Sequence, residues 1–346
     1  MAAESTGTNR SPENLTPQRL LQYGNGYAAP LMIHASVANG LFDALDGRAM
    51  LAEELSVATG ASVRGIRILL KGLLAISVVV RDSDGKYTLA PDASAFLVKG
   101  KPDYQGAIFR HYATQVIPRW LQIEEVVRTG RPAAAINVEA EGAGYFEKFV
   151  EALFPNSYPA AKVLASELGL HRAVSSVKVL DIAAGSGVWG IALAQSSPFV
   201  TVSALDWPGV ITVTKRIAAQ YGVGDRITTI AGDLHEVDYG GPYDIATLGQ
   251  ILHSEGEEKS RKILAKTYDA LAPGGVAAIA EFVVNDDESG PPASLIFSVN
   301  MLVNSEAGDT YTFRELRSWL DEAGFVDVRA VDAPGLSPLI LAKRPS

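Results

Sequence analysis

The stretch Val179-Leu180-Asp181-Ile182-Ala183-Ala184-Gly185-Ser186-Gly187-Val188-Trp189-Gly190 decides how this sequence folds. An apolar strand pattern runs into a glycine-rich turn, and the turn opens a helix. Glycines at this point let the backbone approach a ligand closely, and the helix N-terminus favours negative charge. The same Gly-x-Gly-x-x-Gly spacing also fits a dinucleotide fingerprint, so the glycines alone leave the cofactor open.

Strand and helix patterns alternate around that stretch, from Val177 to the C-terminal part of the sequence. Strands joined by helices predict a parallel sheet with right-handed crossovers. Only a short Pro-Gly loop separates the final two strands, so those two must pair antiparallel. The predicted strands are 177–180, 200–205, 227–231, 243–249, 276–284, 326–331 and 339–342, and the predicted helices are 188–195, 210–221, 257–271 and 312–323.

The N-terminal part has a different pattern, with three helices followed by a hairpin. Helical spacing covers Ala28–Ala38, 51–55 and 63–74, and the turn at 82–85 separates two short strand patterns. This order is that of a winged helix, which can bind DNA. The three basic residues on the third helix belong to an acidic protein and accompany a leucine-rich stripe, which favours a packing role at a dimer interface.

The sequence between these two patterns predicts connecting helices. Loop-like residues occur at 130–132 and 141–144, and Pro155 and Pro159 are expected to interrupt the helical pattern of 145–170. We therefore expect three parts: a winged-helix-like domain at 1–105, connecting helices that roof the active site at 106–170, and a cofactor-binding domain at 171–346.

Composition excludes several classes of protein. The net charge of −9 argues against a nucleic-acid partner, and the absence of cysteine excludes disulfides, thiolate metal sites and a cysteine nucleophile. No segment approaches the roughly 20 apolar residues of a membrane span, and the polar first 17 residues lack a secretory signal. The five histidines are too scattered for a metal site. We expect a cytoplasmic enzyme that binds neither metal, membrane nor nucleic acid.

Three aspartates are predicted to follow adjacent strands, where open parallel sheets bind ligands. Asp181 stands before the glycines, where a carboxylate suits an ammonium group better than a pyrophosphate. S-adenosylmethionine carries such an ammonium group. Asp206, 19 residues after Gly187, is placed for ribose hydroxyls. Asp233 can accept from an adenine amino group while Leu234 packs on the ring.

Several segments resemble the class I S-adenosylmethionine-dependent small-molecule O-methyltransferases, the caffeate and polyketide enzymes with an N-terminal dimerisation domain. The resemblance covers nearly the whole chain. It implies a Rossmann-like, seven-stranded α/β sheet with an antiparallel last strand, behind an all-helical, winged-helix-like dimerisation domain, and it implies a homodimer. The matching segments are Asp181–Gly187, Leu205–Val210, Ala231–Leu234, Ile251–His253, Leu271–Gly275 and Trp319–Phe325, together with Tyr27–Pro30 and Gly40–Asp43.

The resemblance also implies a general base. His253 lies at the position of the family's base, and a phenol with a pKa near 10 needs one at neutral pH. The family's His-Asp-Trp is here His253-Ser254-Glu255, and its nearby lysine is replaced by Gly249 beside Gln250. Glu281, Glu306 and Asp309 are the candidates for the carboxylate that fixes the histidine tautomer.

The predicted site residues form three groups. The catalytic group is His253, Glu281 and Glu306; the cofactor-binding group is Asp181, Gly185, Gly187, Asp206, Trp207, Asp233, Leu234 and Gln250; the acceptor-pocket group is Phe149, Phe297, Asn300, Met301 and Asn304. An apolar, aromatic pocket suits a flat aromatic or polyketide-like small molecule.

The altered residues around His253 leave other functions open. The same fold and cofactor could serve C- or N-methylation, or a reaction that transfers no methyl group. A cofactor-sensing regulator and an NAD enzyme are further alternatives.

Overall fold

The computed structural model describes residues 16–136, 139–335 and 337–346, and the chain divides into two compact units after Ile117. The connecting segment expected at 106–170 is thus shared between the two units. None of the described helices is both long and apolar enough to span a lipid bilayer.

The first unit is helical apart from the predicted hairpin, β1 (Val79–Arg81) paired antiparallel with β2 (Tyr87–Leu89). Its core includes Leu41, Leu55 and Leu70, which have no exposed surface. Its helices are α1 (Gln18–Leu21), α2 (Ala28–Ala38), α3 (Leu41–Leu45), α4 (Ala52–Thr59), α5 (Val63–Ala75), α6 (Pro91–Phe96) and α7 (Gly106–His111), with a 3-10 turn at Gln22–Asn25 and a π-helical turn at Tyr112–Val116. The short α8 (Ile117–Trp120) follows.

The second unit is built on the predicted sheet. Its seven described strands lie in the order β10-β11-β7-β6-β3-β4-β5, and β11 alone runs antiparallel to its neighbours. The strands are β3 (Val177–Ile182), β4 (Val200–Asp206), β5 (Ile227–Ala231), β6 (Tyr243–Gly249), β7 (Leu271–Ala280), β10 (Val326–Val331) and β11 (Leu339–Lys343). A separate parallel pair consists of β8 (Val283–Val284) and β9 (Tyr311–Thr312).

Helices cover both faces of this sheet because successive strand residues point to opposite sides. Val179 packs into one apolar cluster and its neighbour Leu180 into another, and both are fully buried. The helices are α9 (Ile123–Thr129), α10 (Glu139–Glu167), α11 (Val188–Ser196), α12 (Pro208–Gln220), α13 (Leu252–Ala270), α14 (Pro292–Asn304) and α15 (Phe313–Glu322), with 3-10 turns at Leu170–Arg172 and Gly224–Arg226.

Helix α10 differs from the sequence prediction. It runs through 141–144 and through Pro155 and Pro159, which were expected to lie in a loop and to interrupt the helix. A proline inside a helix costs about 3 kcal/mol. The apolar stripe that contains Phe154, Ala161 and Leu164 is buried in the core, and this burial offsets the cost.

The order of the central strands brings the predicted ligand-binding residues together. Strands β3, β4 and β5 are parallel neighbours, so their carboxyl ends lie side by side. Strand β6 lies on the other side of β3 and delivers the turn before His253 to the same edge. The strand predicted at 276–284 ends instead at Ala280, so that Glu281 follows β7 directly.

Candidate active site

The glycine loop after β3 adopts a conformation that favours glycine. Gly185 and Gly187 have φ values of 57° and 76°, in the left-handed region. A Cβ atom on Gly187 would lie 2.9 Å from the methyl carbon of Thr214, closer than atoms normally pack. Gly187 also caps the N-terminus of α11, so the loop offers backbone N–H groups and a close approach to a ligand.

Asp181 is completely buried beneath this loop. Its Oδ2 accepts a hydrogen bond from Gly190 N–H at 3.0 Å, and its Oδ1 accepts one from the hydroxyl of Thr247 at 2.6 Å. Burial raises the pKa of Asp181 to about 7, against the lowering effect of these two hydrogen bonds. The carboxyl therefore ties the loop to β6, and the structure gives it no direct face towards a ligand.

Asp206 ends β4 beside the loop and is half-buried. Its Oδ2 accepts from Gly185 N–H at 2.8 Å and its Oδ1 from Trp207 N–H at 2.7 Å. Burial raises the pKa of Asp206 to about 6, although both hydrogen bonds lower it. The Trp207 ring lies 6.1 Å from the Phe146 ring of α10, which places an aromatic wall next to this carboxylate.

The third aspartate and Gln250 complete the edge. Asp233 follows β5, is half-buried and accepts from His235 N–H at 2.8 Å, while Leu234 is buried in the core. Gln250 follows β6 with a φ of 61°, and its side-chain amide donates to the hydroxyl of Ser337 at 3.2 Å. The predicted cofactor residues thus share one edge of the sheet.

His253 and Glu281 form a buried pair. The Nδ1 atom of His253 lies 2.5 Å from Oε1 of Glu281, and the carboxylate also accepts from the backbone N–H groups of His253 and Phe282. Glu281 has no exposed surface, and His253 retains 8%. With Nδ1–H donated to the carboxylate, the tautomer leaves Nε2 free to accept a proton.

The structure does not bring Glu306 to His253. The turn after α14 is held by Ser305, whose hydroxyl accepts from Gly308 N–H at 3.0 Å, and Asp309 N–H donates to His253 O at 2.9 Å. The turn therefore presents its backbone to His253, and the Glu306 and Asp309 side chains are exposed. Glu306 lines an open cleft of about 580 Å³ formed with residues 130–135.

Two phenylalanine rings lie against the imidazole of His253. The Phe297 ring of α14 meets the imidazole edge-on at 4.9 Å, and Phe297 stacks on Phe282 at 3.9 Å. Phe149 of α10 is half-buried within a second aromatic group with Tyr145 and Phe146. Phe149 and Phe297 thus each lie in an aromatic group, and their contact with the acceptor stays a prediction.

The other predicted pocket residues, all on α14, are more buried than the sequence suggested. Met301 and Asn304 are each 2% exposed, so both belong to the core of α14. Asn300 is half-buried and accepts from the Trp120 indole N–H at 3.0 Å. Asn304 accepts from the Arg119 guanidinium at 2.9 Å.

Sequence reasoning missed Arg119, Tyr145, Thr247 and a second histidine pair. His235 Nε2 lies 2.7 Å from Oε2 of Glu255, which is 3% exposed. Glu255 is one of the residues that depart from the family's His-Asp-Trp, and His235 supplies its partner. Glu255 stands two residues after His253, and this proximity was the signal by which the pair could have been found. In the described part of the chain, no group of three potential metal ligands occurs.

Comparison with known proteins now decides the family. A family model described as the O-methyltransferase domain matches residues 120–326, more than half of the chain, and one described as the O-methyltransferase dimerisation domain matches residues 21–99. The chain belongs to the O-methyltransferase family.

Individual relatives agree with this assignment. The O-methyltransferase is 33% identical over 346 residues to a 3-hydroxy-5-methyl-1-naphthoate 3-O-methyltransferase of Streptomyces sahachiroi, an alignment that covers 98% of each chain. It is 26% identical to the tetracenomycin polyketide synthesis 8-O-methyl transferase TcmO of Streptomyces glaucescens, over 95% of this chain and 97% of TcmO. The solved structure of PigF with SAH has a TM-score of 0.81 at 25% identity, covering 96% of this chain and 100% of that one.

The family match establishes an enzyme that transfers a methyl group from S-adenosylmethionine to a hydroxyl. The residues at the sheet edge fit this cofactor. The glycine loop permits close approach, and Asp206 and Asp233 are both half-buried there. Ribose hydroxyls and an adenine amino group donate hydrogen bonds, and carboxylates accept them.

Proposed function

We propose that this O-methyltransferase methylates a hydroxyl of a flat, aromatic or polyketide-like small molecule, with His253 as general base. The observation that carries the proposal is the buried His253–Glu281 pair, with an Nδ1–Oε1 distance of 2.5 Å and aromatic rings against the imidazole. The aromatic and polyketide substrates in the relatives' names support the same class of acceptor.

The base acts through its two ring nitrogens. Nδ1–H donates to Glu281, so Nε2 takes the proton of the acceptor hydroxyl as the oxygen becomes nucleophilic. Glu281 then stabilises the imidazolium, since its carboxylate is buried and close. When bound, S-adenosylmethionine supplies an electrophilic methyl group on a sulfonium sulfur, and S-adenosylhomocysteine is the product.

Other residues of the chain would bind the cofactor and orient it. In our proposal Asp206 accepts from the ribose hydroxyls, Asp233 from the adenine amino group, and Leu234 and Trp207 contribute apolar surface beside them. Gly185 and Gly187 provide the close approach, with Asp181 and Gln250 as positioning residues. Holding two reactants in line lowers the barrier by removing orientational entropy before the reaction.

The acceptor side is apolar so that a flat ring can displace water. Phe149 and Phe297 are the side chains that we assign to it, with Asn300 at one end; Met301 and Asn304 support them from the core. The aromatic surface favours a ring-bearing acceptor over a sugar or a peptide.

We further propose that the enzyme acts as a cytoplasmic homodimer. The match of residues 21–99 to the dimerisation model supports the second subunit. Exposed apolar side chains on the first unit, among them Leu20 and Leu21, are available for such an interface. Light scattering that returned a monomer would contradict this part.

The acid-base proposal is tested with acceptors of different acidity. His253→Ala should bind S-adenosylmethionine normally and lose about 10²–10⁴-fold in turnover of a phenol. A dinitrophenol is already ionised at neutral pH, so its turnover should fall far less in the same variant. His171→Ala, at an exposed histidine, is the control. An equal loss for both acceptors would exclude the base assignment.

A further inference from the structure

Arg119 occupies an unusual position in the catalytic unit. The residue is half-buried, and its Cζ atom lies 4.5 Å from the centroid of the Tyr145 ring. Its Nη1 donates to Oδ1 of Asn304 at 2.9 Å. Burial raises the pKa of Tyr145 to about 12, and the nearby arginine acts in the opposite direction.

Two other arginines stacked on aromatic rings in this unit have their charge or their donors satisfied. Arg261, over Trp319, pairs with Glu257 and Glu322. Arg344, over Tyr268, donates to three backbone carbonyls.

Arg119 differs from both. Among the side chains that the structure describes, no carboxylate lies within ion-pair distance of it, and a neutral amide is its hydrogen-bond partner. A partly buried guanidinium without an anion is unfavourable, and its planar fork matches a carboxylate geometrically.

A chain of hydrogen bonds fixes the direction of this fork. Trp120 N–H donates to Oδ1 of Asn300, the amide nitrogen of Asn304 donates to the same oxygen at 3.1 Å, and Arg119 donates to Asn304. The bond from Asn304 nitrogen settles which end of its amide faces the arginine. The Nη1 atom of Arg119 is thereby bound to Asn304, while its Nη2 and Nε atoms remain to bind a ligand.

The same helix connects Arg119 with the reaction centre. Phe297, which contacts His253, precedes Asn304 by seven residues on α14, which is about 10 Å along a helix axis. Phe297, Asn300 and Asn304 share one face at this spacing. Tyr145, beneath the guanidinium, belongs to the aromatic group that reaches Trp207 through Phe146.

We propose that Arg119 binds a carboxylate of the acceptor, so that the substrate is a hydroxyarene carboxylate with its hydroxyl towards His253 and its carboxylate towards Arg119. This inference rests on the proposed function and narrows its substrate class. The distance along α14 suits fused rings better than a single ring. Arg119 is a specificity-determining residue that acts on binding and leaves the proton transfer to His253.

The test compares acids with neutral analogues. We would assay the full-length enzyme and S-adenosylmethionine with three sets of acceptors: hydroxynaphthoates, their methyl esters and the corresponding naphthols. Calorimetry would measure the binding of the same compounds to the protein loaded with S-adenosylhomocysteine. The unaltered enzyme should favour the acids, and Arg119→Gln should lose about 10–100-fold in kcat/KM for the acids and at most about 3-fold for the naphthols.

Two further variants separate recognition from packing. Arg119→Lys should retain part of the preference for acids, because it keeps the charge without the fork. Arg131→Gln removes a positive charge from an exposed loop of the same unit, and it should leave the preference unchanged.

The outcomes distinguish the inference from its premise. An equal loss on acids and naphthols, or no loss on either, would overturn the carboxylate role while methyl transfer stands. Absence of cofactor binding and of turnover with every probe would overturn both.

Discussion

Replacing Glu281 by glutamine tests how the structure makes His253 a base. The carboxylate is fully buried, lies 2.5 Å from Nδ1 of His253 and accepts from two backbone N–H groups as well. Glutamine has the same shape but only one acceptor oxygen. With the amide oxygen at the position of Oε2, the amide nitrogen faces the imidazole, so Nδ1 becomes the acceptor and the proton moves to Nε2. With the amide oxygen at the position of Oε1, Nδ1–H keeps its acceptor and the amide nitrogen faces the backbone N–H of His253 instead.

In the first orientation Nε2 is protonated and cannot accept the proton of the acceptor hydroxyl. In either orientation no carboxylate is left to stabilise the imidazolium. We therefore expect kcat to fall by about 10²–10⁴-fold. The loss of a charge-assisted hydrogen bond should also lower the free energy of unfolding by about 1–3 kcal/mol. The affinity for S-adenosylmethionine should stay the same, because none of the described hydrogen bonds of Asp206 and Asp233 involves Glu281.

The assay combines turnover at saturating substrate, calorimetric titration with the cofactor, and thermal unfolding. Glu306→Gln is the matched control, since it makes the same chemical change at an exposed carboxylate. A Glu281→Gln enzyme with kcat within about 3-fold of the parent, and intact cofactor binding, would refute the claim that Glu281 makes His253 a base.

Two further predictions concern the cofactor edge. Asp206→Asn should weaken S-adenosylmethionine binding by more than about 10-fold, because a hydrogen bond to a charged group contributes about 1.5–3 kcal/mol, whereas exposed Asp225→Asn should have no effect. Because burial raises the pKa of Asp206 to about 6, its carboxyl takes up a proton below that pH. The affinity of the parent enzyme for S-adenosylmethionine should then be constant above pH 6 and fall below it. An unchanged affinity at pH 5 would contradict the role of Asp206 in binding the cofactor. Gly187→Ala should lower the free energy of unfolding by about 1–3 kcal/mol, because Gly187 has a φ of 76° and a Cβ atom there would lie 2.9 Å from Thr214. Gly144→Ala, with open space around it, should not lower it. Equal melting temperatures for the two variants would show that alanine is not strained in the loop conformation of Gly187.

The sheet could be predicted from the sequence because each strand and helix carries its own periodicity. The turn chemistry after Val179–Ile182 and the short loop before Leu339 determined the position of the cofactor edge and the antiparallel strand. The pairing of His253 with Glu281 was one of three that the family resemblance left open, beside Glu306 and Asp309. The structure brings the two residues together because they follow neighbouring strands β6 and β7.

Other features depend on packing that no local pattern reports. Pro155 and Pro159 are tolerated inside α10 because its buried stripe outweighs their cost. The turn held by Ser305 sends the Glu306 side chain to the surface, although sequence proximity favoured it as a partner of the base.

The contact between Arg119 and Asn304 joins residues 185 positions apart. Neither residue belongs to a motif, so no local pattern connects them. The pair between His235 and Glu255 likewise joins two segments that were interpreted separately.

The most direct test of the central claim follows one methyl group. The enzyme is incubated with S-adenosylmethionine that carries an isotopically labelled methyl group, together with a hydroxynaphthoate, and the products are analysed by mass spectrometry and NMR. We predict a labelled methyl ether on the ring oxygen, with S-adenosylhomocysteine in equal amount. A label that stays on the cofactor, or that appears on carbon or nitrogen, would contradict methyl transfer to a hydroxyl.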